Sequence, residues 1–222
     1  MKRIIVLILM STLLMGSSKV AVAIKVKGKV SIIPVETKVK KSLKPGTPLS
    51  DQDKIMTAKG AFAALMYLDD KSVVKMMGNS DLVVAGNRSS VGINKSLDIS
   101  YGKITANIVQ QKGREFHIAT PTSVASVKGT ELAITSDPAM GDSFMLLEGL
   151  IEVTNSITGE STEVSPGETA VSTPEGSLDV HETTTADMAG FEEAEMEIPT
   201  QELRFEVEDT DGNIKEIIIQ YQ

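Results

Sequence analysis

Few residues of this 222-residue chain have the types and spacing that metal chemistry requires. Without cysteine, a zinc site would need the two histidines, His117 and His181, together with carboxylates, and no ligand spacing links them. Residues 209–213 (Asp-Thr-Asp-Gly-Asn) begin like a calcium loop, but Gln220 stands where the bidentate glutamate belongs. A hairpin turn explains that run better. The sequence therefore predicts no metal site and no cofactor.

One serine stands in a block that could suggest hydrolysis. Gly141-Asp142-Ser143-Phe144 resembles the Gly-Asp-Ser block of a lipase and esterase family. Asp179-Val180-His181 follows it, but the spacing is wrong for the acid–base pair of that family. The strand pattern described below also differs from the α/β layering of such enzymes. We therefore predict that the chain is not an enzyme and that Ser143 is a polar strand residue.

The most specific pattern lies in residues 120–132, Thr-Pro-Thr-Ser-Val-Ala-Ser-Val-Lys-Gly-Thr-Glu-Leu. Thr120 and Pro121 form a turn at a strand end, because proline fixes the chain and lacks an N–H for pairing. Lys128, Gly129 and Thr130 form a corner, where glycine permits a positive φ or a close backbone approach. Loops on a rigid scaffold can also bind ligands. These five residues are therefore both fold residues and the candidate binding residues.

Short strands separated by glycine, proline and asparagine turns surround this segment. Strand-like runs recur about every 8–12 residues across residues 24–172. They include a hairpin around Asp69-Asp70-Lys71 and two strands, 96–100 and 103–109, on either side of Tyr101-Gly102. This spacing predicts an all-β sandwich or roll, with a short solenoid as the alternative.

The order of these motifs resembles the FecR-like family over about residues 25–172. Residues 63–72 resemble its strand-Asp-Gly-Ser hairpin, although Lys71 stands where the family usually has glycine. Lys128-Gly129-Thr130 stands for the usual Arg-Gly-Thr. Further segments match the family's order of strands and glycine turns: 43–57, 97–109, 116–121, 146–153 and 164–171.

The resemblance implies an extracytoplasmic, non-catalytic module. The best-known family member is a transmembrane regulator of ferric citrate signalling, whose cytoplasmic helix handles a sigma factor. We expect no such helix before the N-terminal apolar run, so only the extracytoplasmic module carries over. The expected function is that of an interaction or sensory module that binds another, unidentified envelope protein. The alternative is a binder of a small ligand or anionic glycan through the loops around Lys128-Gly129-Thr130.

The charge distribution argues against nucleic-acid binding. Residues 175–222 carry 14 acidic and two basic residues, a net −12 in a chain whose total is −8. Nucleic-acid binding needs the opposite sign over a surface. Aromatic residues make up 4% of the chain, which disfavours the aromatic stacking sites used for sugars and single strands. An acidic tail suits solubility, a basic partner or weak cation binding instead.

Seven lysines are concentrated in the first quarter of the chain, at positions 25, 27, 29, 38, 40, 41 and 44. We interpret them as the solvent face of an edge strand, where lysine prevents edge-to-edge pairing. The alternative is a docking surface for the acidic tail or for an anionic envelope polymer.

The N-terminus has the pattern of a secretory signal peptide. Lys2 and Arg3 precede an apolar run over residues 4–16, and Ala21-Val22-Ala23 provides an A-x-A cleavage site. The run is roughly 13 residues long, shorter than the ~20 of a membrane helix. We expect cleavage before Ile24, export to the periplasm or beyond the cell, and no stable membrane insertion afterwards. An uncleaved anchor is the alternative.

These patterns divide the chain into four parts: a signal peptide (1–23), a FecR-like β domain (24–173), an acidic linker with room for a short helix from Thr185 (174–201), and a C-terminal β-hairpin (202–222). A lone hairpin is only marginally stable in water. It therefore either docks on the main sheet or is offered to a partner as an edge.

Overall fold

The computed structural model describes residues 19–89, 92–111 and 116–188, with the side chains of all but residues 88, 89 and 92. It also describes the backbone of residues 201–208 and 214–221. The predicted signal peptide up to residue 18, the predicted helix beyond residue 188 and the Asp-Gly turn at 209–213 lie outside the described residues.

Seventeen strands form one hydrogen-bonded network with two layers, which we call sheet A and sheet B. Sheet A contains, in spatial order, β4 (Pro48–Ser50), β1 (Lys19–Lys27), β6 (Phe62–Tyr67), β7 (Val73–Met76), the second half of β9 (Gly92–Ile108), β12 (Thr130–Asp137), β13 (Gly141–Glu148), β16 (Glu168–Ser172) and β17 (Leu178–Glu182). Sheet B contains β3 (Lys41–Ser42), β2 (Val30–Ile33), β5 (Asp53–Thr57), β8 (Ser80–Ser89), the first half of β9, β10 (Phe116–Ala119), β11 (Ser123–Val127), β14 (Ile151–Asn155) and β15 (Ser161–Val164). The predicted all-β sandwich of short strands is confirmed.

The long strand β9 joins the two sheets. Its first half pairs with β8 and, in parallel, with β10, whereas its second half pairs with β7 and β12. The predicted break at Tyr101-Gly102 is therefore wrong, because β9 bends at Gly102 and continues. Gly102 has a φ of +117°, and an added Cβ would lie 2.3 Å from Ser80 Oγ and 2.5 Å from Ser80 Cα. Only glycine allows the strand to turn this closely past β8.

A single hydrophobic core lies between the sheets, because every second residue of each strand points inward. Apolar residues of both sheets belong to one buried cluster. Tyr67 of sheet A meets Phe116 of sheet B edge-to-face, with ring centroids 5.5 Å apart. Both side chains are fully buried, and each contributes roughly 1.5–3 kcal/mol of apolar burial.

The predicted hairpin at Asp69-Asp70-Lys71 connects β6 and β7. Lys71, which stands where the resemblance would have glycine, has a φ of +66°. The Lys71 N–H donates to Tyr67 O at 3.2 Å, and the Tyr67 N–H donates to Ser72 O at 2.9 Å. Lys71 therefore adopts the left-handed backbone conformation in this turn, which glycine would adopt more easily.

The sheet extends beyond residue 173, where we predicted an acidic linker. Strand β17 pairs with β16, from Ser172↔Leu178 to Glu168↔Glu182. A helical turn follows at residues 185–188. The side chains of Thr184 and Asp187 cap it reciprocally, since Thr184 N donates to Asp187 Oδ2 at 2.8 Å and Asp187 N donates to Thr184 Oγ1 at 3.4 Å.

The predicted C-terminal hairpin is present. Strands β18 (Gln201–Glu208) and β19 (Ile214–Tyr221) pair antiparallel along their whole length, from Gln201↔Tyr221 to Glu208↔Ile214. They form a two-stranded sheet separate from the seventeen-stranded network.

Strand β1 has two neighbours along its length. Residues 19–22 pair with β4 and residues 21–27 pair with β6, so the predicted edge position applies only to the lysine-bearing second half. The strand starts at Lys19, and Ala21 and Ala23 are both fully buried.

Candidate functional site

The Thr-Pro turn of the signature closes the β10–β11 hairpin. The hydroxyl of Thr120 donates to Ser123 O at 3.1 Å and accepts from Ser123 N at 3.1 Å, while Thr120 N donates to Ser123 O at 2.9 Å. Pro121 is exposed at the tip. The Thr120 hydroxyl therefore forms hydrogen bonds with the local backbone, as its position at a strand end predicts.

The next signature residue, Thr122, enters a buried polar network between the sheets. Its backbone N–H donates to Asp142 Oδ2 at 2.8 Å, and its hydroxyl also donates to that oxygen. Ser172 and Asn155 complete the network, with Asn155 Nδ2 donating to Ser172 Oγ at 2.8 Å. Thr122, Asp142, Asn155 and Ser172 are each at most 2% exposed. Such a network fixes the position of the turn in the core rather than presenting groups to a ligand.

The Lys128-Gly129-Thr130 corner is also held by close backbone packing. Gly129 has a φ of +140°, and a Cβ there would lie 2.9 Å from Gln110 Cα. A Cβ on Gly149, from the neighbouring β13–β14 turn, would lie 2.3 Å from Gly129 O. Because neither Gly129 nor Gly149 has a Cβ, the two corners can pack against each other. The fold alone therefore accounts for glycine at both positions.

A cleft of about 460 Å³ does open beside this corner. Its charged lining residues are Lys128, Glu131 and Glu148, so two carboxylates oppose one ammonium. A cleft of about 560 Å³ lies elsewhere, between residues 59–62, 77–79, 102–103 and 135–137. The charge of the Lys128 cleft does not favour an anionic ligand.

The structure does not bring the five predicted binding residues together. Thr120 and Pro121 precede β11, and Lys128, Gly129 and Thr130 follow it. The five residues of β11 span about 16 Å at the usual rise of a strand. A single small ligand would contact one end or the other, and the cleft includes only the Lys128 end.

The structure also separates Ser143 from His181, the two residues that the hydrolase-like block would need to bring together. Asp142 is buried inside the sandwich, whereas Ser143 lies on the outside of sheet A, half-buried. Ser143 pairs with Val171 and His181 pairs with Thr169, so two strand spacings and a two-residue offset, about 12 Å, separate Ser143 from His181. His181 Nε2 instead lies 3.2 Å from Asp187 Oδ2. This arrangement provides no serine–histidine pair.

Burial raises the pKa of Asp187, but hydrogen bonds from Thr184 and His181 outweigh it and hold the pKa below its usual range. Asp187 caps the helical turn as a carboxylate, and its contact with His181 joins that turn to β17.

A buried charged cluster that the sequence analysis missed lies at the β6–β7 turn. Lys95 Nζ is fully buried and lies 2.9 Å from Asp69 Oδ2 and 2.7 Å from Asp70 Oδ2. Gln111 Nε2 donates to Asp70 Oδ2 at 2.8 Å. Burial raises the pKa of Asp70, but hydrogen bonds from Lys95, the Ser72 backbone and Gln111 hold it below its usual value. The cluster ties the turn to β9.

The signal for this cluster was the position of Lys95 in its strand. Ile93, Lys95, Leu97 and Ile99 alternate along β9, and all four are buried. The two-residue period of β9 therefore indicates that the Lys95 side chain lies inside the sandwich, although lysine is usually found at the surface.

The same cluster surrounds Tyr67. Burial, followed by the nearby carboxylates of Asp70 and Asp69, raises the pKa of Tyr67 well above that of a free phenol. The neutral hydroxyl donates to Ser96 O at 3.1 Å. Tyr67 is therefore a structural link between the sheets and not a proton donor or acceptor for chemistry.

The outer faces of the two sheets differ in character. The outer face of sheet A carries a second buried apolar cluster, distinct from the core: Ile24, Phe62, Ala64 and Met77, with Val22, Met66 and Val73 packed against it. Lys25 Nζ lies 5.7 Å from the centroid of the Phe62 ring. The outer face of sheet B is mainly polar, with half-buried or exposed residues that include Lys54, Ser96, Asp98, His117, Ser126, Glu152, Thr154 and Glu163. Its apolar residues include Met56, Val83 and Val124.

A separate apolar residue lies on the outer face of sheet A in β13. Met145 is 2% exposed although it points away from the core, and it lines a cleft of about 320 Å³ with Leu147 and with Met188 of the helical turn. The C-terminal part of the described chain thus already covers one side of this face.

The described part of the chain contains no group of three or more histidine, cysteine, aspartate or glutamate residues arranged to hold a metal ion. In the same residues, no helix has the length and apolar character to cross a bilayer.

Comparison with known proteins agrees with this architecture. The family model described as FecR protein matches residues 53–152. Two crystal structures of a candidate anti-sigma factor from Parabacteroides distasonis ATCC 8503, at 1.65 Å and 2.50 Å resolution, resemble the chain with TM-scores of 0.53 and 0.52. At 14% sequence identity, this likeness concerns the fold alone. The alignment covers 61% of this chain and 62% of that protein. No curated protein matches the sequence.

The matched residues run from the start of β5 into β14 and include the β9 crossover, Thr122 with Asp142, and the Lys128-Gly129-Thr130 corner. Asn155 and Ser172 of the Thr122 network lie beyond the match. The glycines and threonines that carry the resemblance are those that the packing explains. Residues 53–152 of this chain therefore match the FecR family model, and the rest of the chain lies outside that match.

Proposed function

We propose that this protein is an exported, non-catalytic module that binds another cell-envelope protein through the apolar outer face of sheet A. The observation that carries the proposal is the contrast between the two outer faces. A sheet that faces water normally alternates apolar-in with polar-out. Sheet B follows that rule at most of its outer positions, whereas sheet A carries a cluster on its outer side that includes the half-buried Val22, Met66 and Val73.

The chemistry of that face suits a protein partner. An apolar centre with a polar rim is typical of protein interfaces, in which aromatic residues and methionine are enriched. The half-buried side chains of Met66 and Val73 provide the apolar part of this surface, and Lys25 lies beside the ring of the buried Phe62. The partner would contribute an apolar helix face or strand, which is a common mode of peptide recognition.

The fold comparison is consistent with a regulatory binding role. The structurally similar protein is described as a candidate anti-sigma factor, and a factor of that kind acts by binding another protein. The signature residues of the present chain are used by its own fold. Specificity for a partner therefore resides on the faces of the sandwich, which the signature does not determine.

A photo-crosslinking amino acid at Met66 tests the proposal in cells that produce the full chain. Thr154 is the matched control, because it is likewise half-buried but lies on the polar outer face of sheet B. We expect a crosslinked adduct with a second envelope protein from position 66 and none from position 154. Equal adducts from both positions, or a crosslink from position 66 only to the chain's own C-terminal residues, would refute this face as the partner site.

A further inference from the structure

The start of β1 conflicts with the cleavage site that the sequence suggests. Cutting after Ala23 would remove residues 19–23, which form half of this strand. Val20, Ala21 and Ala23 are each fully buried in the core. Residues 19–22 are those that pair with β4, so the same cut would take away the strand to which β4 is bound.

Other contacts show how closely these residues belong to the folded domain. Ala23 N donates to Thr47 O at 3.0 Å, and Gly46 N donates to Ala23 O at 2.7 Å. A Cβ on Gly86, in sheet B, would lie 3.0 Å from Val20 Cγ1. Val20 therefore packs directly on the backbone of the opposite sheet, and its loss would open a cavity between the layers.

Lys19, the residue at which β1 begins, is exposed, so an α-amino group there would lie in solvent.

A second small-residue site lies immediately before β1. Gly16-Ser17-Ser18 stands at the end of the apolar run, with small residues at both positions that a signal peptidase recognises. We infer that the peptide bond between Ser18 and Lys19 is the processing site. Water adds across this bond, leaving a carboxylate on Ser18 and an α-amino group on Lys19, and the mature chain keeps all of β1.

The inference rests on the export that is part of the proposed function, and the mass of the mature chain distinguishes the two. The full chain with a C-terminal tag is produced in cells, purified from the envelope or medium, and measured intact. A terminus at Lys19 is the expected result. A terminus at Ile24 would overturn the inference but leave export standing, whereas an intact Met1 would overturn both.

Two substitutions outside the mature domain sharpen this test. Ser18→Tyr puts a bulky residue at the position before the cut and is expected to abolish processing. Ser17→Tyr puts the same residue at the intervening position, which A-x-A sites tolerate, and is expected to leave processing unchanged. Neither alters a residue of the folded domain. Normal processing of Ser18→Tyr would contradict the site.

The two candidate mature chains also differ in folding. We expect residues 19–222 to melt cooperatively, and residues 24–222 either to lack a transition or to melt at least about 10 °C lower. Equal melting temperatures would show that residues 19–23 are dispensable and would overturn the inference.

Discussion

Replacing Gly102 by alanine tests the claim that one bent strand locks the two sheets together. The φ of +117° at this position is unfavourable for any residue with a Cβ and costs roughly 1–3 kcal/mol. The new methyl group would also lie 2.5 Å from Ser80 Cα, where carbon atoms normally approach to about 3.5–4.0 Å. Overpacking of this kind adds about 1–3 kcal/mol.

The two effects together predict a loss of about 4 kcal/mol in the free energy of unfolding, out of a total of roughly 5–15 kcal/mol for a domain. The melting temperature should fall by about 8–16 °C, at 2–4 °C per kcal/mol for a domain of this size. Urea unfolding followed by circular dichroism measures the loss, with the slope m as a check that the unfolded state is unchanged.

Gly46→Ala is the matched control. Gly46 has a φ of +79°, but no heavy atom lies within 4 Å of the position that a Cβ would take, so only the backbone penalty of about 1–2 kcal/mol applies. Adding Ser80→Ala to Gly102→Ala should not rescue stability, because the closest backbone atom, Ser80 Cα, remains. If Gly102→Ala and Gly46→Ala cost the same, the close approach of β9 to β8 is not what requires glycine.

Three further outcomes concern the β6–β7 turn. Lys95→Met should lower the free energy of unfolding by about 3–5 kcal/mol in urea, since it leaves Asp69 and Asp70 without their buried cation; a loss below about 1 kcal/mol contradicts a buried ion pair. Because the folded pKa of Asp70 is lowered, its ionisation stabilises the fold above the unfolded pKa of about 3.9, and this contribution disappears as the pH falls through the folded value. The wild type should therefore lose more stability than Asp70→Asn on acidification below about pH 4, measured by thermal melts across pH, and parallel curves refute the assignment. Lys71→Gly should raise stability by about 0.5–1 kcal/mol by relieving a positive φ, and an unchanged or lower melting temperature contradicts this.

Strands could be predicted from the sequence where one face of the strand is buried and turn residues mark its ends. The Asp69-Asp70-Lys71 hairpin is an example, with apolar runs on both sides. The continuity of β9 was not predictable, because the inward positions change phase between Ile99 and Ile104. A register shift opposite Asp81 and Leu82 absorbs that change within a single strand.

Strand β17 escaped prediction for a different reason. Its five residues are half-buried or exposed, so they show no clear alternation, and its acidic composition resembles a linker. Pairing with β16 decides its structure, and that is a non-local contact that a local pattern does not contain.

The candidate site was predicted only in part. The types of residue in the signature correctly indicated turns and close approaches, yet their separation was overlooked. The strand between Pro121 and Lys128 was itself predicted, and its length already set the two turns about 16 Å apart. The apolar outer face of sheet A could not be assigned from the sequence, because alternation alone does not distinguish a second buried face from a strand buried on both sides.

The location of the signature residues bears on how a FecR domain acquires a function. Thr122 is bonded within the core and Gly129 is pressed against Gln110 and Gly149, so substitution at either position alters the fold before it alters any surface. Met66 and Val73 lie outside the core cluster and are half-buried, so they can change without disturbing the contact between the sheets. Two FecR domains with the same signature can therefore share a sandwich and still bind different partners. In this chain, the outer face of sheet A is where such a difference would be selected.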